Sequence, residues 1–135
     1  MDTQGDTKIL LVDDDADDRL LFTAALAEIG NKYHCDCAAS TMEALKYLAS
    51  ADPLPDLIFL DLNMPGYDGK KCLRHLKAAT KLQNIPVVIY STFISETDEE
   101  EMKGLGADYV ITKPGDFGSL QSAIIDSMET VRGNR

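Results

Sequence analysis

The stretch that most constrains this chain is residues 56–69, DLIFLDLNMPGYDG. Four apolar residues, Leu57-Ile58-Phe59-Leu60, run straight into Asp61, and a turn carrying Pro65, Gly66 and Gly69 follows at once. An apolar run this short, with no polar face and bounded by a turn, reads as a strand covered on both sides. Parallel sheets flanked by helices provide that environment. Asp61 then stands at the carboxyl end of a central strand, where open α/β sheets bind their ligands. A carboxylate held there is costly unless it finds partners.

The rest of the chain alternates strand and helix. Residues 1–7 are polar and are expected to form a disordered tail. Lys8-Ile9-Leu10-Leu11-Val12 reads as a buried strand ended by Asp13-Asp14-Asp15. Residues 16–30 read as a helix with Leu21/Phe22, Ala25/Leu26 and Ile29 on one stripe and Gly30 at its end. Residues 33–39 form a second strand. Ser40-Thr41-Met42-Glu43 has the form of a capping box opening a helix, with Leu45, Leu48 and Ala49 as its stripe, that stops before Pro53. A third helix covers about 69–79, with Leu73 and Leu76 facing inward. Pro86-Val87-Val88-Ile89-Tyr90 is the fourth strand, ending at Ser91-Thr92. Ser95 caps a short helix bounded by Gly104 and Gly106. Tyr109-Val110-Ile111-Thr112 is the fifth strand, ending at Lys113-Pro114. The last helix carries Leu120, Ile124, Met128 and Val131, leaving residues 132–135 as a tail. Short loops and right-handed crossovers make this one α/β domain over 8–131, a doubly wound parallel sheet of five strands with five helices.

Charge excludes some functions. With 13 Lys+Arg against 23 Asp+Glu, the net charge of -10 disfavours nucleic acid and anionic membrane as partners. The polar N-terminus lacks the layout of a signal peptide, and no stretch has the length of a spanning helix, so a cytoplasmic location is expected. Three cysteines suit a reducing compartment. Cys35 and Cys37 share one strand face with His34 on the other, while Cys72 and His75 sit at i, i+3 on a helix. None of these is arranged as a zinc centre, and core packing is expected for the cysteines. Met42, Met102 and Met128 are read as core. The acidic run from Glu96 to Glu101 reads as the solvated face of a helix.

Four strands end in polar residues: Asp13-Asp14, Asp61, Ser91 and Lys113. In a parallel sheet these ends share one edge and converge. Three carboxylates so close cannot all stay ionised without compensation, and Lys113 supplies one positive charge. A divalent cation is the natural remainder. An all-oxygen site with few protein ligands suits Mg²⁺, with a backbone carbonyl such as that of Asn63 completing the shell. Nothing separates the pKa values of these acids, so they make a poor acid–base pair. They make a good seat for a phosphoryl group. One carboxylate acts as nucleophile, Lys113 neutralises one oxygen and the Ser91 hydroxyl bonds another. By contrast, Asp15, Asp17 and Asp18 read as acids favoured at a helix N-terminus.

These segments together, ILLVDDD, DLIFLDLNMPGYDG, PVVIYST and GADYVITKP, resemble the receiver domain of bacterial two-component response regulators over about residues 8–131. The resemblance implies a flavodoxin-like sheet in order 2-1-3-4-5, with Asp61 as phosphoacceptor from a phosphohistidine on a histidine kinase or phosphotransfer protein. It implies Mg²⁺ at Asp13, Asp14, Asp61 and the Asn63 carbonyl. Ser91 matches the switch hydroxyl and Lys113 the phosphate-contacting lysine. A cis Lys113–Pro114 bond, as in the family, is accessible to an X–Pro peptide.

The family's inward-turning aromatic is replaced by Val110, and Tyr109 is one residue early, on the opposite face. Phe93, two residues past Ser91, is expected above the pocket, where it would slow loss of the phosphoryl group. The reading is a stand-alone receiver, not an enzyme beyond its own phosphorylation and slow dephosphorylation. No output domain is expected after the last helix. Signal would leave through the face of the fourth helix, fifth strand and last helix, by phosphorelay, or through a homodimer. The rivals are a small phosphatase using the D-x-D spacing of Asp13-Asp14-Asp15, and a receiver-like binding module that works without phosphorylation.

Overall fold

A computed structural model describes residues 6–64 and 69–133. Ten elements alternate: β1 (Thr7–Val12), α1 (Ala16–Ile29), β2 (Tyr33–Ala38), α2 (Thr41–Ser50), β3 (Leu57–Leu60), α3 (Gly69–Ala78), β4 (Val87–Ser91), α4 (Glu96–Gly104), β5 (Tyr109–Thr112) and α5 (Phe117–Gly133). The strands form one parallel sheet in the order β2-β1-β3-β4-β5. Both expectations, the doubly wound class and the strand order, hold.

Every residue of β3 and β4 is buried, as a strand with helices on both faces requires. Alternate residues serve two cores. Leu10, Val12, Ile58, Leu60 and Ile89 pack with Leu48, Leu73 and Met102 from α2, α3 and α4. Ile9, Leu11, Phe59, Val88 and Tyr90 pack with Phe22 of α1 and Ile124 of α5. Each such side chain contributes about 1.5–3 kcal/mol by leaving water. Phe22, Phe59 and Tyr90 meet edge to face, with centroids 4.9, 5.5 and 6.3 Å apart. That aromatic trio forms a stiff floor just below the ends of β3 and β4.

Helix starts are set by side-chain caps. The Asp15 carboxylate accepts from the N–H of Asp18, and Ser95 and Asp98 form a full capping box. The expected box at Ser40 is only half made. Ser40 Oγ accepts from Glu43 N–H, but the Glu43 carboxylate reaches past Ser40 to the N–H of Ala39 at 2.9 Å.

Several expectations need correction. Leu21 is 51% exposed and Met42 65% exposed. The α1 stripe is Phe22, Ala25 and Leu26, with Leu21 turned outward; the α2 stripe is Thr41, Ala44 and Leu48, with Leu45 half-buried against it and Met42 and Ala49 exposed. Met102 and Met128 are buried as expected. Cys72 is buried, but Cys35 is half-buried and Cys37 exposed because β2 is an edge strand that α1 covers incompletely. Lys113–Pro114 is trans, and Asp52–Pro53 is the one cis bond among the described residues. The acidic run is not wholly solvated, since Lys70 of α3 pairs with Glu101 at 2.8 Å and Asp98 at 3.3 Å. Thr7 already belongs to β1 and donates its N–H to Lys32, while α5 continues to Gly133. The expected turn residues Pro65 and Gly66, and residues 1–5 and 134–135 of the two tails, lie outside the described residues. Among the described residues no helix is long and apolar enough to cross a membrane.

Candidate functional site

The sheet ladder runs one residue past the strand ends and fixes the site. Asp13 N–H donates to Ala38 (3.0 Å), Asp61 N–H to Val12 (2.9 Å) and Lys113 N–H to Ser91 (2.7 Å). Each functional residue is therefore held by the backbone of a neighbouring strand. Asp13, Asp61 and Ser91 are buried, and Asp14 is exposed beside them. A close approach completes the floor. Gly69, opening α3, would place a Cβ 2.7 Å from the Asp61 carbonyl oxygen and from Leu62 Cα, so only glycine fits.

Asp61 Oδ1 is fully engaged. It accepts from the Asn63 backbone N–H (3.0 Å) and from the Ser91 hydroxyl (3.0 Å). The Asn63 side-chain amide donates in turn to Ser91 Oγ (2.7 Å) and to the Phe93 carbonyl (3.3 Å). Asp61 Oδ2 accepts no hydrogen bond from the described residues; its nearest cation, Lys113 Nζ, lies 3.5 Å away. Lys113 is drawn instead to Asp13 at 2.8 Å and Asp18 at 2.7 Å, with its ammonium 5.2 Å from the Tyr90 ring centroid. Asp13 Oδ1 accepts from the N–H of Asp15, and Arg19 donates to the Asp13 carbonyl.

Carboxylate oxygens of Asp13, Asp14 and Asp61 lie within 4.8 Å of one another. Burial pushes the Asp13 carboxyl above its usual value, against the lowering effect of Lys113 and the Asp15 N–H. Burial would depress Lys113, but its bonds to Asp13 and Asp18 and the nearby Asp61 charge hold the ammonium above its usual range. Acids outnumber bases here, and the excess negative charge favours a positive partner. A hard divalent cation with oxygen ligands fits this donor set.

The structure thus brings together Asp13, Asp14, Asp61, Ser91 and Lys113, with Asn63 beside them. Phe93 reaches the rim through its carbonyl, though it is 69% exposed. Tyr109 packs on the α1/α5 side and Val110 on the opposite side, as the one-residue offset requires. Sequence reasoning missed Asp18, the Asn63 amide and the Tyr90 ring. A usable signal existed for Asp18: α1 begins directly after Asp13-Asp14-Asp15, so its first turn overhangs the same edge.

The model of the response regulator receiver domain matches residues 9–125. This chain belongs to the receiver-domain family. The receiver is 34% identical over 119 residues to sporulation initiation phosphotransferase F of Bacillus subtilis, covering 87% of this chain and 90% of that protein. It superposes on the phosphorylated cyanobacterial phytochrome response regulator RcpA with a TM-score of 0.81 at 36% identity, covering 93% of this chain and 92% of that one. On the Mn²⁺-bound form of response regulator Rcp1 the TM-score is 0.77 at 28% identity, covering 87% and 88%. Some curated relatives are longer. The receiver spans 8% of hybrid signal transduction histidine kinase D of Dictyostelium discoideum and 57% of stress response regulator protein 1 of Meyerozyma guilliermondii.

Proposed function

We propose that Asp61 accepts a phosphoryl group from a phosphohistidine of a sensor histidine kinase or histidine phosphotransfer protein. The observation that carries this reading is the asymmetry of the Asp61 carboxylate. Oδ1 is pinned by two donors, while Oδ2 faces Lys113 across a gap and is left to react. In the transfer, a carboxylate oxygen bonds to phosphorus as the phosphorus–nitrogen bond breaks. The electron pair leaves with the imidazole, which takes a proton from solvent. Asp13, Asp14, Asp61 and the Asn63 carbonyl would hold Mg²⁺, which when bound neutralises charge on the phosphoryl oxygens. Lys113 takes one of those oxygens and the Ser91 hydroxyl another. The receivers solved with a phosphoryl group and with Mn²⁺ support this assignment by likeness.

The four exposed large hydrophobic residues among the described residues, Leu20, Leu21, Met42 and Phe93, belong to the early turns of α1 and α2 and the loop after β4. All three follow strand ends at the Asp61 edge, which suits a phosphodonor docking there. Output through the α4–β5–α5 face, by homodimer or by relay to a further histidine, fits the coupling of Asn63 and Ser91 to the loop that leads into α4. Phe93 would slow hydrolysis of the aspartyl phosphate. The unit acting in this way is residues 8–131, working as a protein-contact module rather than as a turnover enzyme. The phosphatase reading loses its second acid, because the Asp15 carboxylate caps α1.

Incubation with acetyl phosphate and Mg²⁺, followed by peptide mass spectrometry, tests the assignment. The expected result is one phosphoryl group on Asp61, none in Asp61→Asn, and no turnover of other phosphoesters. Label on Asp13 or Asp15, or no label at all, would overturn it.

A further inference from the structure

The Lys113 ammonium has three N–H donors. Two of them make short bonds, to Asp13 Oδ2 at 2.8 Å and Asp18 Oδ2 at 2.7 Å. Asp61 Oδ2 is left at 3.5 Å, outside that pair. The two anchors differ in kind. Asp13 belongs to the metal-competent trio, whereas Asp18 lies on α1 and is absent from it. Asp18 is itself rigidly placed, since its backbone N–H is tied to the Asp15 cap at 3.0 Å. Its side chain is only 31% exposed, so the ion pair is partly shielded from water.

We infer that Asp18 is a positioning residue, holding the Lys113 ammonium just beyond hydrogen-bonding distance of the reactive oxygen of Asp61, where it can turn to an incoming phosphoryl oxygen. The inference rests on the phosphoacceptor reading of Asp61. A lysine bonded directly to a nucleophilic carboxylate withdraws its electron density and must be displaced before attack. A lysine held just beyond hydrogen-bonding distance leaves the nucleophile freer and stands ready for the charge that arrives with phosphorus. Asp13 cannot do this alone. A cation held by Asp13, Asp14 and Asp61 would compete with Lys113 for the Asp13 carboxylate, and Asp18 would then be the anchor that remains.

The test compares Asp18→Asn, Asp18→Glu and Asp17→Asn with the parent protein. Asp17 sits in the same first turn and is exposed, so its loss removes an equal charge with no bond to Lys113. None of these changes touches the backbone cap, and the fold should survive. The first readout is the rate of phosphorylation by acetyl phosphate at saturating Mg²⁺. There Asp61 oxygen bonds to phosphorus while the bond to the acetate oxygen breaks and acetate leaves. Asp18→Asn should be slowed about tenfold, Asp18→Glu should recover most of the rate, and Asp17→Asn should stay within about twofold. The second readout is the metal-free crystal structure of Asp18→Asn. Lys113 Nζ should close from 3.5 Å to a hydrogen bond of about 2.8 Å with Asp61 Oδ2. Equal slowing in Asp17→Asn and Asp18→Asn, or a Lys113 that stays in place without Asp18, would overturn the inference. A parent protein that takes no label would instead sink the phosphoacceptor reading, and the position of Lys113 would still decide the positioning claim.

Discussion

The two rims of the sheet use aspartate in opposite ways. At the amino rim, Asp56 and Asp108 each precede a strand and grip the first residues of its neighbour. Asp56 Oδ2 accepts from Lys8 N–H at 2.8 Å while Asp56 N–H donates to the Lys8 carbonyl at 2.7 Å. Asp108 repeats the arrangement with Val87, at 2.9 and 2.8 Å. These carboxylates close the sheet by satisfying backbone donors. At the carboxyl rim, Asp13, Asp14, Asp18 and Asp61 face one another around a single lysine. The same residue type stabilises one end and stores uncompensated charge at the other. A ligand that brings positive charge, or a group that reshapes the rim, therefore acts at the carboxyl end alone.

The largest effect should come from shape rather than charge. Gly69→Ala puts a methyl 2.7 Å from backbone atoms of Asp61 and Leu62, which have no room to yield. A loss of about 3 kcal/mol in urea unfolding is expected. A near-neutral result would show that the floor of the rim is soft. Next come the amino-rim acids. Asp108→Ala strands the Val87 N–H and should cost about 2 kcal/mol, and the more exposed Asp56→Ala about 1 kcal/mol. Both variants should keep their full phosphoryl acceptance. Loss of labelling without loss of stability would break the division of labour between the rims.

Asp13→Asn should act with the opposite sign. Burial raises the Asp13 carboxyl, so the folded metal-free protein holds that proton more tightly than the unfolded chain. The stability this contributes is present below the ordinary carboxylate range and is lost as pH rises through the raised value. At pH near 7 the variant should melt above the parent in chelator, and the gap should close on acidification. A lower melting point at neutral pH would mean that Asp13 is a stabilising pair and not stored charge. The smallest effect belongs to Met42→Gln, which should stay within about 0.5 kcal/mol because the side chain stands in solvent.

Burial on both faces leaves a plain signature in sequence. That is why Leu57–Leu60 marks β3, and why Asp13, Asp61, Ser91 and Lys113 were readable as one edge. What was not readable depends on contacts that no local pattern encodes. Lys113 meets Asp18 across 95 residues: the start of α1 places its first turn over the edge, but nothing in the sequence tells Asp18 from Asp17, its exposed neighbour. The Asn63 amide was hidden because its position suggested only a backbone role. Met42 and Leu21 were misplaced because an apolar residue beside a stripe looks like part of it. Which residue turns inward is fixed by the angle at which the helix lies on the sheet. Cys37 was misplaced for a similar reason, since strand order decides which strand is left at the edge.

A magnesium titration followed by backbone amide NMR on the metal-free protein tests the contrast between the rims most directly. Saturable shifts at Asp13, Asp14, Asp61 and Asn63, with Asp56 and Asp108 unmoved, are the expected result. Shifts centred on Asp56 and Asp108, or none at millimolar magnesium, would contradict the account.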